Sequence, residues 1–558
     1  MFVYGDHDET VDGGAEVRRL NARRSALAAF PAGLARHAAL VNLHIEAGRL
    51  AQGLADRTFD PATGDDPTPV DHAWMIWLTH SAHAVVRSWD GGLAAEPPPL
   101  PDAPSGAVTL RTPEGYAYYG LYPESYVAAA RRLEVQGANA RVIGLRSIGA
   151  SLAPIVAAVL GAPPPITLRP TGHPFDRQVR LSAPALARLL DGETFVVVDE
   201  GPGLSGSSFA AVARLLTAHG VPPGRIVFMP SHDGEPGAAA SAETRGVWRS
   251  VRRVPAVRIG DERIAAWVAD VVADRIERVE DLSGGRWRGL RLHPHDWPAI
   301  DPRTDRRKLR MHATSGAFVA RFVGLGAMGE RKLDRALRLH AAGAVPPVVG
   351  AAHGFLVQRW IDAPAAPRPE PEAVGRYLRL RRDLPAIVPD GASPEALRAM
   401  ALANVEARVG AAARCALERR LPMAEVERQW RPAAVDGACQ PWKWLRSGDR
   451  LLKADALDHD ADHDLLGPLD PAWDLAGAAL ELRYAKAAHR RLLAAAVPPG
   501  QSPPTAGLLR FCALCHLAFH LGAAGMAQAA FAPGSDEWLR HEHALRRRER
   551  DLRRPLQL

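Results

Sequence analysis

Apolar residues recur at helical spacing through ALAAFPAGLARHAALVNLHIEAGRLAQGLAD (26–56) and HAWMIWLTHSAHAVVRSW (72–89), which predicts a helical N-terminal segment over residues 1–100. A Pro-rich stretch, AAEPPPLPDAPSG (94–106), follows and reads as a linker. Between 101 and 255 the pattern changes to short apolar runs alternating with helices. RVIGL (141–145), PITLRP (165–170), TFVVVDE (194–200) and RIVFMPSH (225–232) read as strands. SLAPIVAAVLGA (151–162) and SSFAAVARLLTAHG (207–220) read as the crossover helices between them. This alternation predicts an α/β domain built on a doubly wound parallel sheet. Residues 256–304 read as a transition, and 305–558 as a mixed α+β segment that ends in long Ala/Leu/Arg helices.

The strand TFVVVDE ends in two adjacent carboxylates, Asp199 and Glu200, and the loop GPGLSGSS and a helix follow. Adjacent acids beyond a strand's C-terminal end can accept hydrogen bonds from vicinal hydroxyls such as those of a ribose. A Gly/Ser loop leading into a helix N-terminus offers backbone N–H groups, hydroxyls and a positive dipole end to a phosphate. A second strand–loop–helix unit, RVIGLRSIGASLAPIVAAVL, carries Arg146, Ser147 and Gly149 in its turn, a pattern suited to a pyrophosphate. The plain alternative for both is a capped turn between strand and helix.

VVVDEGPGLSGSS resembles the signature of the type I phosphoribosyltransferase family, with one residue more between the acids and the first serine. Gly144, Arg146, Gly149, Leu152 and Ala153 resemble that family's pyrophosphate loop, and ITLRPTGHPFDRQVRLS lies where the family carries a mobile flap. The resemblance implies that Asp199 and Glu200 hold the ribose hydroxyls of phosphoribosyl pyrophosphate (PRPP). Gly203, Ser205, Gly206, Ser207 and Ser208 would hold its 5-phosphate, and Arg146, Ser147 and Gly149 its pyrophosphate. Asp199, Glu200 and Arg146 would form the catalytic set. Mg²⁺, met by Asp199 and Glu200 through the ribose and pyrophosphate, would neutralise the leaving group, with Arg169, Arg177 and Arg180 as flap cations. Purine members carry an acid within the phosphate loop, whereas this chain has Gly201-Pro202-Gly203-Leu204, which argues against purine salvage. The acceptor would meet either EGYAYYGLYPESY (114–126) or SHDGEPG (231–237), where His232 and Asp233 are acid/base candidates or parts of a plain turn.

The C-terminal third shows strand, charged helix, strand and hinge, then an acid-rich loop. With LDPAWDLAG (469–477) and WLRSGDRLLKADALD (444–458), it resembles the aminoglycoside phosphotransferase branch of kinase-like folds. That resemblance implies ATP at a site with Arg321 in place of the nucleotide-binding Lys, Glu330 as its helix partner and Asp455 as the magnesium ligand. Aligning DGACQPWKWL (436–445) with the family's catalytic loop puts Ala438 at the acid and Lys443 at the Asn, so the domain reads as degenerate. Asp436 would substitute only in a rebuilt loop.

Composition narrows the field without changing the leading picture. A chain of 558 residues holds two or three domains, and its four cysteines exclude a disulfide framework. The net charge of +7 is spread among interspersed acids, and the basic run RRRERDLRRPLQL reads as a helix face, so nucleic acid is not the expected partner. No uninterrupted apolar run reaches the ~18 residues of a membrane span, and MFVYGDHDET lacks a signal pattern, so a cytoplasmic protein is expected. A homodimer would be compatible with the N-terminal helices. FCALCHLAFH (511–520) reads as helix-core cysteines, and DHDADHD (458–464) as ligands spaced too closely to converge on one ion. The expected function is therefore PRPP-dependent phosphoribosyl transfer to a small-molecule acceptor. The alternatives are a non-catalytic PRPP or nucleotide sensor and a small-molecule phosphotransferase using the C-terminal domain.

Overall fold

The computed structural model describes residues 7–92, 96–135, 137–363, 365–366, 368–462 and 466–557. His463 and Asp464, the end of the DHDADHD motif, lie outside them. The chain is a mixed α/β protein organised around two five-stranded sheets.

The first sheet is parallel. Its strands are β1 (Ala140–Leu145), β2 (Ile166–Leu168), β3 (Thr194–Val198), β4 (Ile226–Met229) and β5 (Arg252–Arg253), in the order β2-β1-β3-β4-β5. β3 is the sequence TFVVV, and its last four residues are fully buried, as a central strand covered on both faces requires. The period-2 pleat divides those side chains. Val196 and Val198 join a core with the helices α1 (Leu34–Thr58), α2 (Pro69–Trp89), α3 (Pro123–Ala130) and α4 (Gly149–Leu160). Phe195 and Val197 face the opposite way, against α5 (Ser207–Ala218) and Trp248. Both faces of the parallel sheet are therefore covered.

The expected separation of the N-terminal helices from this sheet does not hold. Strand Ala107–Leu110 pairs antiparallel with Glu9–Asp12, and α1 and α2 supply one cover of the sheet. The Pro-rich stretch is laid along α2 rather than left as a linker. Trp77 Nε1–H donates to the Pro98 carbonyl at 2.8 Å, and Trp74 Nε1–H to that of Asp102 at 3.3 Å. An extended Pro-rich segment makes no internal hydrogen bonds, so its carbonyls are left to accept from side chains. Helix α2 starts where Thr68 and Asp71 form a reciprocal capping box with Pro69 at the first helical position.

The second sheet is antiparallel. It contains β6 (Ile276–Asp281), β7 (Lys308–Ala313), β8 (Gly316–Phe322), β9 (Val348–Ala352) and β10 (Phe355–Arg359), in the order β6-β7-β8-β10-β9. Helix α6 (Asp261–Val272) precedes it, and helix α7 (Gly326–Ala341) lies between β8 and β9. This is the strand–helix–strand order that the sequence suggested for a kinase-like small lobe. The start is corrected: β6 pairs with β7, so the unit begins within the 256–304 segment taken as a transition. The charged sequence IERVED hides the strand, because β6 is an edge strand whose side chains are mostly half-exposed or exposed.

The remainder is helical. Among the described residues one helix, α8 (Ala506–Gln528), is long and apolar enough to cross a membrane. It packs against the helix Pro394–Val409 and against α9 (Asp536–Leu556) as a core element, with Cys512, Cys515 and His516 buried. The arginine-rich α9 turns Leu545, Leu552 and Leu556 inward.

Strand and helix approach most closely at Gly149. A Cβ there would meet the Gly144 carbonyl carbon at 2.8 Å and the Val198 oxygen at 2.9 Å, both backbone. Gly149→Ala is expected to destabilise the protein by about 1–3 kcal/mol in urea unfolding. Gly224→Ala, at a site with no atom within 4 Å, should leave the midpoint unchanged.

Candidate functional site

From β1 the chain moves to β2 on one side and later to β3 on the other. The loops after β1 and β3 therefore flank a topological switch point, where open α/β sheets bind ligands.

Asp199 and Glu200 stand at the end of β3. Asp199 Oδ1 accepts the Glu200 N–H at 2.8 Å, and the Asp199 carbonyl accepts from the Tyr126 hydroxyl at 2.7 Å. Glu200 Oε2 accepts the Gly115 N–H at 2.6 Å. These contacts bring the segment 114–126, one of the two expected acceptor sides, against the acid pair. Burial pushes the Asp199 carboxyl up to about 7, and neighbouring Glu114 adds to the rise. The other expected side lies at the rim. Ser231 N–H reaches the Glu200 and Gly201 carbonyls at 3.2 and 3.1 Å, but His232 and Asp233 are exposed. His232 Nδ1 accepts the Gly234 N–H at 3.0 Å, as in a plain turn, and Asp233 pairs loosely with Arg253 at 3.8 Å.

The serine loop leads into α5. Gly206 has φ +64°, and the helix begins at Ser207. Ser208 therefore lies in the first turn, whose N–H groups have no partner within the helix. Gly203, at φ +59°, turns the loop so that Leu204 is 69% exposed. Ser205 Oγ and Ser207 Oγ are 2.9 Å apart and lie 3.2 and 3.1 Å from the Pro174 carbonyl. Pro174 is at the tip of a hairpin, Thr171–His173 paired with Asp176–Gln178, which occupies the segment expected to be a flap. The hairpin tip and the serine hydroxyls thus meet directly.

The loop after β1 departs from expectation. Ser147 is half-buried there, beside the Gly144–Gly149 contact, but Arg146 is fully committed elsewhere. Its guanidinium forms ion pairs with Asp65 and, at 2.9 Å, with Asp56. Arg169 follows it: Nε–H donates to Asp56 Oδ1 at 2.9 Å, and its backbone N–H to Asp65 Oδ2 at 2.7 Å. The catalytic assignment of Arg146 and the flap assignment of Arg169 are corrected accordingly. Two carboxylates already neutralise both arginines, so they shape the loop rather than present charge to a ligand. Arg177 spans the hairpin to the Gly172 carbonyl at 2.9 Å, and Arg180 reaches back to the Pro61 and Ala62 carbonyls. Sequence reasoning missed Asp56 and Asp65, whose sole signal was the acid-rich stretch LADRTFDPATGDDP (54–67).

In the second unit the charges predicted for a nucleotide site are paired with other groups. Glu330 was expected opposite Arg321, but it points away, pairing with Arg23 and accepting from Asn42 at 3.2 Å. The helix α7 turns that face toward α1, which fixes the direction. Arg321 instead pairs with Asp458 and, at 2.5 Å, with Asp455 Oδ1. Lys443 Nζ donates to Asp455 Oδ2 at 3.0 Å. Both Asp455 oxygens are thus held by cations, and the residues do not fit a magnesium ion at this position. Asp436 is sequestered as well: Lys453 Nζ is 2.8 Å from its Oδ1, and the Tyr377 hydroxyl donates to Oδ2, with all charged atoms buried. The position aligned with the catalytic acid is Ala438, buried in the same loop.

At the acid pair the donor set does suit magnesium. Asp199 and Glu200 offer hard oxygen ligands side by side at the end of β3.

No family model matches the chain, and no curated protein matches it. Among solved structures, the choline kinase LicA from Streptococcus pneumoniae is 15% identical, with a TM-score of 0.36 over 52% of this chain and 98% of that one. A choline/ethanolamine kinase family protein from Mesorhizobium loti is 20% identical, with a TM-score of 0.34 over 44% and 85%. A spectinomycin phosphotransferase solved with ADP and spectinomycin is 11% identical, with a TM-score of 0.36 over 52% and 94%. Similarity at this level leaves the chemistry to be read from the residues.

The raised Asp199 carboxyl has a consequence for stability. From about pH 4 to about pH 7 the native state keeps a proton that the unfolded chain has released, so stability falls as pH rises through that window. Asp199→Asn should flatten that fall. Its thermal midpoint should gain on wild type between about pH 4 and pH 8, whereas parallel curves would contradict the burial of the carboxyl.

Proposed function

We propose that the α/β unit binds PRPP and transfers its phosphoribosyl group to a small-molecule acceptor. The observation that carries this reading is the pairing, across one switch point, of an acid pair and a serine loop on a helix N-terminus. A diol and a phosphomonoester on one ligand would match those two features. Asp199 and Glu200 accept hydrogen bonds from the ribose hydroxyls. Ser205, Ser207, Ser208 and the first-turn amides of α5 take the 5-phosphate. Ser147 and the amides near Gly149 approach the pyrophosphate, with Arg146 as a positioning residue anchored by Asp56 and Asp65.

In the reaction, a bond forms from the acceptor's nucleophilic atom to ribose C1 while the bond from C1 to the pyrophosphate oxygen breaks. Magnesium, when bound, neutralises charge on the departing pyrophosphate. The hairpin tip at Pro174 sits on Ser205 and Ser207, so the 5-phosphate replaces a carbonyl contact as it enters. The segment 114–126, hydrogen-bonded to the acid pair, lies on the acceptor side.

A second reading places small-molecule phosphotransfer in the C-terminal unit. Its support is the order β6-β7-β8-α7-β9-β10 and the meeting of Arg321 and Asp455, which form an ion pair. Against it stand Ala438 at the acid position and the cations on Asp455. A PRPP sensor without turnover would use the same loops as the leading reading.

Calorimetric titration with Mg²⁺ and PRPP should show binding to the wild type. Asp199→Asn with Glu200→Gln should weaken it by about a hundredfold or more, since each lost charge-assisted hydrogen bond costs about 1.5–3 kcal/mol. Unchanged affinity rules the assignment out. Pyrophosphate release with candidate acceptors separates transferase from sensor. For the second reading, ATP binding that disappears in Asp455→Ala would support a nucleotide site, and absence of ATP binding to wild type would exclude it.

A further inference from the structure

We propose that His37, Glu124 and His353 bind a late first-row divalent metal ion, zinc above all, at the junction of the two sheets. The three residues come from distant parts of the chain: α1, the first turn of α3, and the turn between β9 and β10. His37 Nε2 lies 2.7 Å from Glu124 Oε1, and His353 Nε2 lies 2.6 Å from the same oxygen. One ligand atom from each falls within 4.8 Å of the others. Glu124 is 1% exposed, His353 4% and His37 5%.

Charge is the first argument. A carboxylate in a dry site must be paired with a cation or give up its ionisation. Among the described residues, the ion-pair partners of Glu124 are these two imidazoles and no Lys or Arg. Trp89, Tyr122 and Trp267 wall the site, their rings 5.6 Å from His37 and 5.1 and 5.0 Å from His353. Such walls offer no counter-charge.

Unspent hydrogen-bonding capacity is the second argument. Glu124 Oε2 and His353 Nδ1 are both buried without a partner. A bound ion would engage the carboxylate without needing a donor for each oxygen. His37 Nδ1 lies 3.0 Å from Ser88 Oγ, so a neutral ring can donate there and leave Nε2 free as a ligand. Two imidazole nitrogens and one carboxylate oxygen form a donor set that zinc uses with a fourth position left for water.

Two other His/acid groups show what a site satisfied by protein cations looks like. In Glu481–His516–His520 the carboxylate pairs with Arg548 and, at 3.8 Å, with Arg547. In Asp455–Asp458–His459 the acids pair with Arg321 and Lys443. Among the described residues the junction trio has no such ion-pair neighbour.

The test uses the full chain without a polyhistidine tag, dialysed against micromolar zinc and then analysed by mass spectrometry for metal. The expected result is about one zinc per chain, lost in Glu124→Gln and in His353→Gln but kept in His516→Gln. Cobalt loaded into the wild type should give visible d–d bands without thiolate charge transfer, a readout that does not depend on a variant's folding. Wild type that takes up no zinc overturns the proposal in favour of an imidazolium–carboxylate pair. Zinc retained by Glu124→Gln, or bound cobalt without those bands, also overturns it.

Discussion

The buried face of the parallel sheet sets the terms for the rest of the molecule. Val142, Val196 and Val198 present an apolar surface that water cannot cover cheaply, and the chain covers it with α1, α2, α3 and α4. That one requirement draws the N-terminal helices onto the α/β unit and removes the linker that the prolines advertise. It also delivers Asp56, at the end of α1, and Asp65, just beyond it, to Arg146 and Arg169. The same core continues through Tyr122, Trp267 and His353 into Leu309, Phe318 and Val357 of the antiparallel sheet. The two sheets therefore share one packed interior and do not hang on a tether.

Burial of charge marks both candidate sites. In the second unit Asp455 pairs with Arg321 and Lys443, Asp458 with Arg321, and Asp460 with Arg335 and Arg381, whereas Asp474 accepts the Asp436 and Gly437 N–H groups and is pushed up to about 7 by burial and by neighbouring Asp436. A phosphate ligand would have to take Arg321 from carboxylates that hold it below the surface. Asp199 in the first unit is in the same condition, pushed up to about 7 by burial, and Glu200 beside it accepts the Gly115 N–H. Carboxylates kept in that condition gain when hydroxyl donors or a metal-bearing ligand arrive.

The sequence made the strands and crossovers of the parallel sheet readable because β-branched runs such as FVVV alternate with helical periods. The predicted segments coincide with β1 to β4, α4 and α5 within a few residues. The serine loop was readable for the same reason, since its residues are contiguous. What was not readable depends on contacts across long sequence gaps. Arg146 stands 81 residues from Asp65, and a loop arginine looks the same in sequence whether it faces a ligand or an aspartate. Glu330 carried the spacing of a helix partner, but which face α7 turns to β8 depends on α1, some 288 residues earlier. β6 was hidden because an edge strand need not alternate cleanly.

The interval Gly201-Pro202-Gly203-Leu204 bears on the acceptor. Gly203 turns the backbone at positive φ, and the extra length carries Leu204 to the apex, where its side chain is 69% exposed. An apolar side chain at that point cannot accept a proton from a base ring, and it can stack against a flat or aliphatic group. The polar groups nearest the acid pair lie on the other side, in the segment 114–126 that Gly115 ties to Glu200. In that segment Tyr118 is buried, with Arg306 and Lys332 already over its ring, so the exposed Tyr119 and the half-buried Glu114 are the side chains an acceptor would meet under the phosphoribosyl reading. Under that reading, the composition favours an acceptor with a planar portion whose nucleophile needs no acid from the phosphate loop.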